Sequence, residues 1–439
     1  MKQALRAGLA LVCLGAVLGV CSPISDRRPD SVTLPADPRH LTIVVPDGTS
    51  ASVKARVEAF QKSARLFERE NAGVTVSVEA LPNSKSYTKA LLDRLNSGKP
   101  ADLVFGPFDA VLAAQDTFAD LLPLFQADKM TTDDLYKPLL DMATTRGRLI
   151  GLPMSPEPLA VFYNKEWFDK AETPYPRGDW TWEQFLQLSG KLKAANLMQG
   201  KEVYGSAVPM DLQLFESLAR SSGQSVLSPD NARVSGYLDS RPVCGALALL
   251  LQHMNVSRAS KGTSNSANAV YNEMMANHTG MAIGQSVLHS FFDGNAATKG
   301  KIGIAPLPRL DDGVRANALY FSVWSIVASS TRKELAWTFT KDVVLNGDSA
   351  FQKDWAQQDL LTSKAAIRKT AQHADYGLGV LFDELNAAIQ PAVYRNPKLS
   401  GAVGAETTKR LLSAQSETEV QAALSDLSAQ LDKQLRENP

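Results

Sequence analysis

Cysteine, histidine and net charge are all scarce in this chain of 439 residues. It contains three cysteines and five histidines, and its 46 lysines and arginines balance 46 aspartates and glutamates. So few cysteines exclude a disulfide framework, and the scattered histidines lack the spacing of metal ligands. The even charge, without a basic stripe, argues against nucleic acid or an anionic membrane face as a partner.

Motifs of the common enzyme classes are also missing. The sequence has no HExxH, no P-loop and no complete GxGxxG, because the Gly-Leu-Gly at 377–379 lacks the third glycine. The Gly-Gln-Ser at 284–286 is not a nucleophile elbow, since the following glycine is absent. Any two of the 46 acids can be nominated as a glycosidase pair, so acid content alone indicates nothing. We therefore predict no catalytic residue, no cofactor and no metal site.

The first twenty residues differ from the rest in hydropathy. Two basic residues precede an almost uncharged run, 7–20, which is too short for a lasting bilayer span and is typical of a signal peptide. Cys21 follows as at a lipoprotein cleavage site, with Val20 where a smaller residue is usual. We predict a signal peptide over 1–20, lipidation of Cys21 and a proline-rich flexible tether over 21–38. Ordinary secretory cleavage nearby is the alternative.

Strands and helices alternate after the tether. The periodicity predicts strand 41–45, helix 54–71, strand 74–80, helix 87–95 and a strand within 101–109. Such an alternation indicates an α/β fold with a parallel sheet and right-handed crossovers. Ligands of these sheets meet the loops at the carboxyl ends of the strands, here 46–50 and 106–109.

The stretch 149–165, LIGLPMSPEPLAVFYNK, organises the chain. Pro153 breaks an apolar run, and Pro156 argues against regular pairing after it. A new buried strand is predicted over 159–163. A strand, an irregular proline-rich segment and a second strand are what a chain needs to cross between two lobes, and the crossing contains Glu157.

Three features after the crossing concern the core. Trp182 is predicted to pack under a helix that Thr181 caps, and Cys244, in an apolar helix, is predicted to be a buried small hydrophobe. A C-terminal amphipathic helix is predicted from about residue 418, with one apolar face. That face comprises Val420, Ala423, Leu424, Leu427 and Leu431.

Seven motifs in order resemble the bacterial extracellular solute-binding proteins, the carbohydrate-type receptors of ABC importers. They are FERENAGVTVSVE, SGKPADLVF, the stretch 149–165, DWTWEQF, TGMAIG, IGIAPLP and KELAWTF. The resemblance implies a two-lobed, periplasmic-binding-protein-like fold, in which each lobe is a mainly parallel sheet flanked by helices and a multi-strand hinge joins them. It implies lobe I over 39–153 and 305–341, and lobe II over 154–304 and 342–439, the last including the C-terminal helices.

The same resemblance suggests four acids as ligand contacts. Glu157 has the offset of a ligand-binding glutamate in maltose-binding members, and Asp109 resembles the aspartate that accepts hydrogen bonds from sugar hydroxyls. Asp47 resembles the acidic position after the first strand, and Asp211 falls in the loop that brings contacts from the second lobe. The alternative for each is a solvated loop carboxylate.

Aromatic platforms match the family less well. Gln285 stands where many members place a tryptophan, and we count it and Trp324 as candidate contacts. The alternative for Trp324, inside a β-rich run, is a place in the core. Tyr320, Phe108 and Trp355 are further aromatic candidates. The departure argues against a long oligosaccharide as the solute.

The resemblance implies an extracytoplasmic lipoprotein that captures a sugar or oligosaccharide and hands it to the membrane subunits of an ABC importer. We expect a monomer without catalytic activity, bound to the membrane through its lipid and not to nucleic acid. A same-fold receptor for a polyamine or a glycerophosphate is the nearer alternative. A secreted carbohydrate-active enzyme is the more distant one.

Overall fold

Two five-stranded β-sheets form the framework of the described chain. In the computed structural model the described residues are 37–48, 51–82, 87–99, 101–109, 112–113, 115–195, 200, 202–255, 257–263, 267–370, 377–399 and 401–437. Those from Pro38 onward belong to one compact unit. The predicted signal peptide, the predicted lipidation site Cys21 and the predicted tether up to residue 36 lie outside the described residues.

The elements follow the predicted alternation, and the predicted helix 87–95 is confirmed residue for residue. The strands are β1 (His40–Asp47), β2 (Thr75–Pro82), β3 (Leu103–Pro107), β4 (Thr144–Thr145), β5 (Arg148–Leu149), β6 (Leu152–Glu157), β7 (Leu159–Asn164), β8 (Tyr204–Pro209), β9 (Ser260–Thr263), β10 (Thr279–Gln285), β11 (Ile302–Ala305), β12 (Asn317–Ala318), β13 (Tyr320–Ile326) and β14 (Ala388–Ile389). The helices are α1 (Ala51–Glu70), α2 (Tyr87–Leu95), α3 (Leu122–Ala127), α4 (Lys137–Met142), α5 (Lys165–Lys170), α6 (Trp182–Ala194), α7 (Leu212–Ser221), α8 (Arg241–Asn255), α9 (Ala267–Met275), α10 (Leu288–Asp293), α11 (Lys333–Val344), α12 (Ala350–Trp355), α13 (Lys364–Lys369), α14 (Leu378–Glu384), α15 (Ala392–Arg395), α16 (Ala405–Ser413) and α17 (Glu417–Glu437), with 3₁₀ turns at Leu385–Ala387 and Pro397–Leu399.

In each sheet four strands run in one direction and one runs against them. The first sheet has the order β2-β1-β3-β13-β6, and only β13 is antiparallel to its neighbours. The second has the order β11-β7-β10-β8-β9, and only β7 is antiparallel to its neighbours. The reversed strand in each sheet is the one that arrives from the other sheet. A crossover connection between two strands of the same sheet makes those strands parallel. The reversed strand has no such connection to the preceding strand of its sheet, so it can run antiparallel. The predicted mainly parallel sheets are confirmed.

β6 contains both prolines of the predicted irregular segment, so that segment belongs to the sheet, and the irregularity predicted for it appears as a break in the register. It occupies Leu152–Glu157 and pairs with β13, with one irregularity of register. β6 is an edge strand, and an edge tolerates Pro153 and Pro156 because about half of its N–H groups face away from the sheet. Ser155, between them, has φ of 51°, in the left-handed region that residues other than glycine seldom occupy.

The chain crosses between the sheets through several strands. A single residue, Pro158, separates β6 from β7, and the return runs from β11 through β12, which pairs with β14, to β13. Asn317 of β12 ties the two passages together. Its Nδ2 donates to the carbonyl oxygen of Leu159 at 2.7 Å, and its Oδ1 accepts from the N–H of Leu159 at 3.0 Å. The predicted multi-strand hinge is confirmed.

An aromatic cluster forms the core beside the first sheet. The ring of Phe60 in α1 lies 4.7 Å from that of Phe105, 5.2 Å from Trp324 and 5.1 Å from Trp355, centroid to centroid. Each such ring buries on the order of 150–250 Å², so the cluster is a major source of hydrophobic stabilisation. Trp355 belongs to α12, so this part of the predicted lobe II segment 342–439 packs on the first sheet instead. The packing corrects that assignment for α12, and the other lobe boundaries stay predictions.

A second core covers the second sheet and includes α6, α8 and α17. Trp182 is 1% exposed and Cys244 is fully buried, as predicted. Thr181 caps α6 in a reciprocal capping box with Gln184, which confirms the predicted helix start. The predicted apolar face of the C-terminal helix is confirmed, since all five of its residues are buried.

Candidate functional site

The carboxyl ends of the parallel strands bring three predicted acids to one edge of the first sheet. Asp47 ends β1, Glu157 ends β6, and Asp109 follows β3 by two residues. β13 runs the other way and begins at the same edge with Tyr320, which pairs with Glu157 in the register. Oδ1 of Asp47 accepts the N–H of Gly48 at 2.7 Å, which holds the turn after β1. This edge therefore presents three carboxylates and a phenol.

The matching edge of the second sheet adjoins it. Gln285 ends β10 and stands opposite Leu159, the first residue of β7. Asp211 lies two residues beyond the end of β8. Because one residue separates Glu157 from Leu159, the two edges meet at the crossing. The structure thus places five of the six predicted contacts on these two edges: Asp47, Asp109, Glu157, Asp211 and Gln285. Asp47 is the farthest from the crossing, because β1 lies three strands from β6.

Trp324 is the exception. It lies within β13, is fully buried in the aromatic core, and its Nε1 donates to the sulfur of Met154 at 3.1 Å. A side chain without exposed surface offers no atom to a ligand, which corrects the prediction of Trp324 as a contact. Phe108 and Trp355 are also buried. Of the four aromatic candidates, Tyr320 alone is partly exposed.

Asp109 and Asp211 use their carboxylates to hold the local backbone. Oδ1 of Asp109 accepts the N–H of Leu112 at 3.1 Å, and its Oδ2 accepts from the hydroxyl of Thr88. Oδ1 of Asp211 accepts the N–H of Leu214 at 3.0 Å, which makes Asp211 the N-cap of α7. Both acids are firmly oriented at their edges, but they have fewer acceptor positions left for a solute.

The Glu157 side chain interacts with neighbouring charged groups. Among the described residues, no backbone N–H donates a hydrogen bond to its carboxylate. The side chain is 25% exposed, and its Oε1 lies 4.0 Å from Nη2 of Arg56. The same nitrogen donates to Oδ2 of Asp359 at 2.8 Å. Burial and the Asp359 charge raise the pKa of Glu157 to about 7, against the opposing effect of Arg56. Its charge therefore changes close to neutral pH.

Gln213 bridges the two edges and was not predicted. Its Nε2 donates to the carbonyl oxygens of Ala318 at 2.8 Å and Glu157 at 3.2 Å. Its Oε1 accepts from Nε2 of Gln285 at 3.2 Å. The available signal was its position, two residues after Asp211 in the first turn of a helix that leaves a sheet edge.

Glu216 is a buried acid that was also not predicted from the sequence. It is 4% exposed; its Oε1 accepts the N–H of Ala392, and its Oε2 has no partner among the described residues. Burial raises its pKa to about 8. Burial also raises the pKa of Tyr320, and the charge of Glu216 adds to this, so the two side chains are close. A lone glutamate in the apolar helix LQLFESLA was the available signal.

These edges offer hydrogen-bond acceptors, amides and one aromatic face. Carboxylates accept strong hydrogen bonds from hydroxyl or ammonium groups, and an amide both donates and accepts. Within the described ranges, no group of three or more histidine, cysteine, aspartate and glutamate side chains is arranged to hold a metal ion. Of the helices described, none combines the length and the apolar character that a membrane span requires.

Comparison with known proteins identifies the family. The sequence profile described as bacterial extracellular solute-binding protein matches residues 50–344. The chain belongs to this family. A binding protein of Brucella abortus is 25% identical to this solute-binding protein over 299 residues, which are 67% of this chain and 69% of the relative. The family identified from the seven motifs is confirmed.

Solved structures of binding proteins share its fold. The sugar-binding protein MalE of Xanthomonas citri superposes with a TM-score of 0.71 at 19% identity, covering 90% of this chain and 97% of that one. UgpB of Mycobacterium tuberculosis, solved in complex with glycerophosphocholine, superposes with a TM-score of 0.69 at 17% identity, covering 91% and 99%. At these identities the likeness confirms the predicted two-lobed fold and leaves the solute open. Membership of the family makes this an extracytoplasmic solute-binding protein.

Proposed function

We propose that this solute-binding protein captures a sugar or oligosaccharide between the two sheet edges and delivers it to the membrane subunits of an ABC importer. The observation that carries the proposal is the juxtaposition of Glu157 and Tyr320 on one edge with Gln285 on the other, with Asp47 farther along the first edge. Carboxylates and amides bind hydroxyls, and a tyrosine ring covers the apolar face of a pyranose. Together these groups suit a polyhydroxylated solute.

Capture follows an equilibrium between open and closed arrangements of the lobes. A solute that touches both edges makes all its contacts only when the lobes are closed, and therefore shifts the equilibrium toward closure. No covalent bond changes in this cycle, so the protein acts without catalysis. A secreted carbohydrate-active enzyme is the contrasting hypothesis, and it requires product release from a glycan.

A small sugar fits better than a long oligosaccharide. Each pyranose ring of a long chain gains from its own aromatic platform. Phe108, Trp324 and Trp355 are buried, so Tyr320 is the single platform among these four candidates.

Two other solute classes fit parts of the site. A glycerophosphate needs cationic groups or helix N-terminal amides, whereas the predicted contacts are mostly acidic and Arg56 already donates to Asp359 at 2.8 Å. A polyamine suits the acids and the ring of Tyr320 and is the second candidate. The likeness to the sugar-binding protein of Xanthomonas citri supports the sugar.

We infer that a lipid on Cys21 anchors the protein as a monomer at the outer face of the cell membrane. The support is the signal-peptide pattern before Cys21 and the polar, proline-rich stretch 22–38 after it. Cys21→Ser is expected to move the protein from the membrane fraction to the soluble fraction. Unchanged membrane association would contradict the anchor.

The deciding experiment is a thermal-shift screen of residues 22–439, followed by calorimetric titration. The probes are maltose, sucrose, glucose, glycerol 3-phosphate and putrescine; binding to the native state raises Tm by mass action. We expect a rise with a sugar that Glu157→Gln reduces. The matched control Glu166→Gln, at an exposed glutamate of α5, should leave it unchanged. A rise in Tm with putrescine alone would indicate a polyamine, not a sugar, as the solute. Release of a product from a glycan would overturn the proposed receptor function.

A further inference from the structure

One guanidinium group links the cleft acid Glu157 to a buried acid. Nη2 of Arg56 lies 2.8 Å from Oδ2 of Asp359 and 4.0 Å from Oε1 of Glu157. The side chains of Arg56 and Glu157 are 26% and 25% exposed, whereas that of Asp359 is 1% exposed. Arg56 therefore satisfies the buried carboxylate by a hydrogen bond and acts on Glu157 through its charge.

Asp359 is also attached to the strand that ends in Glu157. Its carboxylate accepts from the hydroxyl of Ser155, and Oγ of Ser155 accepts from Nε1 of Trp355 at 3.2 Å. Ser155 is the left-handed residue of β6 and lies two positions before Glu157. The strand therefore fixes the two acids relative to each other, with Arg56 shared between them.

The charge balance around Glu157 places its ionisation near neutral pH. Burial and the Asp359 carboxylate raise the pKa of Glu157 to about 7, and Arg56 opposes them. Burial likewise raises the pKa of Asp359, and Arg56 opposes this too. Tyr320 and Tyr394 also face Glu157, but burial raises both pKa values, so each phenol keeps its proton near neutral pH. Of these charged or titratable neighbours, Asp359 is therefore the one whose ionisation is coupled to that of Glu157.

We propose that Arg56 is a positioning residue for solute capture, which holds the Glu157 carboxylate charged and oriented while Asp359 limits how strongly it does so. The inference rests on the proposed function, in which Glu157 accepts hydrogen bonds from the solute. An ionised carboxylate is the stronger acceptor, so capture strengthens as pH rises through the ionisation of Glu157. Below that pH the affinity falls by up to about tenfold per pH unit, the limit for a single proton.

Two charge-removing variants test this in opposite directions. In Arg56→Gln the positive charge is lost, so Glu157 ionises at higher pH and the midpoint of the affinity–pH curve moves upward. In Asp359→Asn the competing negative charge is lost, and the midpoint moves downward. Arg56→Lys keeps the charge without the planar fork, so the midpoint stays near the wild-type value while the affinity falls. The affinities are measured by calorimetry with maltose, sucrose and glucose between pH 5 and pH 9.

A solute-free titration separates this inference from the proposed function. The pH dependence of Tm is measured with and without Glu157→Gln, in the wild-type and Arg56→Gln backgrounds, and the difference reports the ionisation of Glu157. We expect the midpoint to move upward by about half a pH unit or more in Arg56→Gln. If Arg56→Gln does not fold, the downward shift in Asp359→Asn decides.

The outcomes are distinct. Midpoints that move in opposite directions support the inference. An equal loss of affinity at every pH in both variants, with unmoved midpoints, would leave Arg56 with a structural role alone and overturn it. If no panel sugar binds but the solute-free midpoint moves, the proposed sugar receptor fails while the control of the Glu157 charge by Arg56 stands.

Discussion

The two passages between the sheets carry similar charge pairs in different surroundings. At the second passage Arg315 lies 2.5 Å from Glu384, whose side chain is 1% exposed. At the first passage Arg56 pairs with Asp359, and Glu157 beside them is 25% exposed. Both arginines are partly exposed, Arg315 by 33% and Arg56 by 26%, and the acid bonded to each is buried. The first passage differs in having a further acid, Glu157, that reaches the cleft.

The difference lies in how fully each acid is occupied. Glu384 accepts from Arg315, from the N–H of Leu307 at 3.2 Å and from Nδ2 of Asn317 at 2.7 Å. The Glu157 carboxylate has no such set of donors among the described residues. An acid whose acceptors are all used stabilises the fold, whereas an acid with spare acceptors at an open edge is free to bind a solute.

The largest expected effect is at the second passage. Glu384→Ala takes the acceptor from two buried donors, the N–H of Leu307 and Nδ2 of Asn317, and from the partly exposed Arg315. Each buried donor left unsatisfied costs about 1–3 kcal/mol, so the two together cost about 2–6 kcal/mol. We expect the free energy of unfolding, measured with urea, to fall by that amount. Asp383→Ala, at the exposed neighbouring residue, should change it little. Equal losses in the two variants would show that Glu384 stabilises the fold no more than an exposed acid does. The contrast between Glu384 and Glu157 would then fail.

Glu216 is a buried acid like Glu384, but its Oε2 has no hydrogen-bond partner among the described residues. Its pKa is about 8 in the folded state and 4.5 ordinarily, so the folded state holds a proton that the unfolded chain has lost between these values. The free energy of unfolding therefore falls as pH rises from about 4.5 to about 8, by at most about 1.4 kcal/mol per pH unit. Glu216→Gln should lack this decline when urea unfolding is compared at pH 5 and pH 8. The same decline in the variant would show that Glu216 is not its source.

Glu157→Gln should reverse the pattern of Glu384→Ala. A hydrogen bond to a charged group is worth about 1.5–3 kcal/mol, so sugar affinity should fall roughly 10- to 100-fold at pH 8. Stability at pH 8 should hold or rise, because the raised pKa of Glu157 shows that its charged form is disfavoured in the fold. Calorimetry and urea unfolding on one preparation measure both. A loss of stability with unchanged affinity would show that Glu157 stabilises the fold, as Glu384 does, and does not bind the solute.

Asp211 should give the smallest effect. Asp211→Ala removes the N-cap of α7, which costs about 1 kcal/mol, whereas Asp211→Asn keeps a good cap and should cost little. Sugar affinity in Asp211→Asn then separates the two roles, since a ligand contact through the charge weakens even when the cap is kept. Unchanged affinity would leave Asp211 as a cap alone.

Much of the fold was predictable because its signals are local. The apolar spacing of Val420 to Leu431 predicts the buried face of α17, and Thr181 predicts the start of α6. The position of β6 was not predictable, because whether a strand tolerates Pro153 depends on its place at a sheet edge. α12 was assigned to the wrong lobe for a similar reason, since nothing local in its sequence shows which sheet Trp355 packs on.

The candidate site was predictable in position but not in detail. Acids that follow sheet strands were expected at one edge, and Asp47, Asp109 and Glu157 lie there. Sequence does not distinguish an acid that caps backbone, such as Asp211, from one that faces a cleft, because both follow a strand. Trp324 was misplaced because β13 is apolar on both faces, so its alternation does not reveal which face is covered.

The place of β13 in the first sheet has a consequence for how the protein is made. β13 lies between β3 and β6, although it is the last of the five strands to be synthesised. A ribosome that has translated through Glu157 has produced four strands of this sheet, yet β6 has no neighbour until Tyr320–Ile326 emerges. Nascent chains therefore remain unfinished until late in translation, and premature termination before β13 yields a product that cannot complete either the first sheet or the cleft.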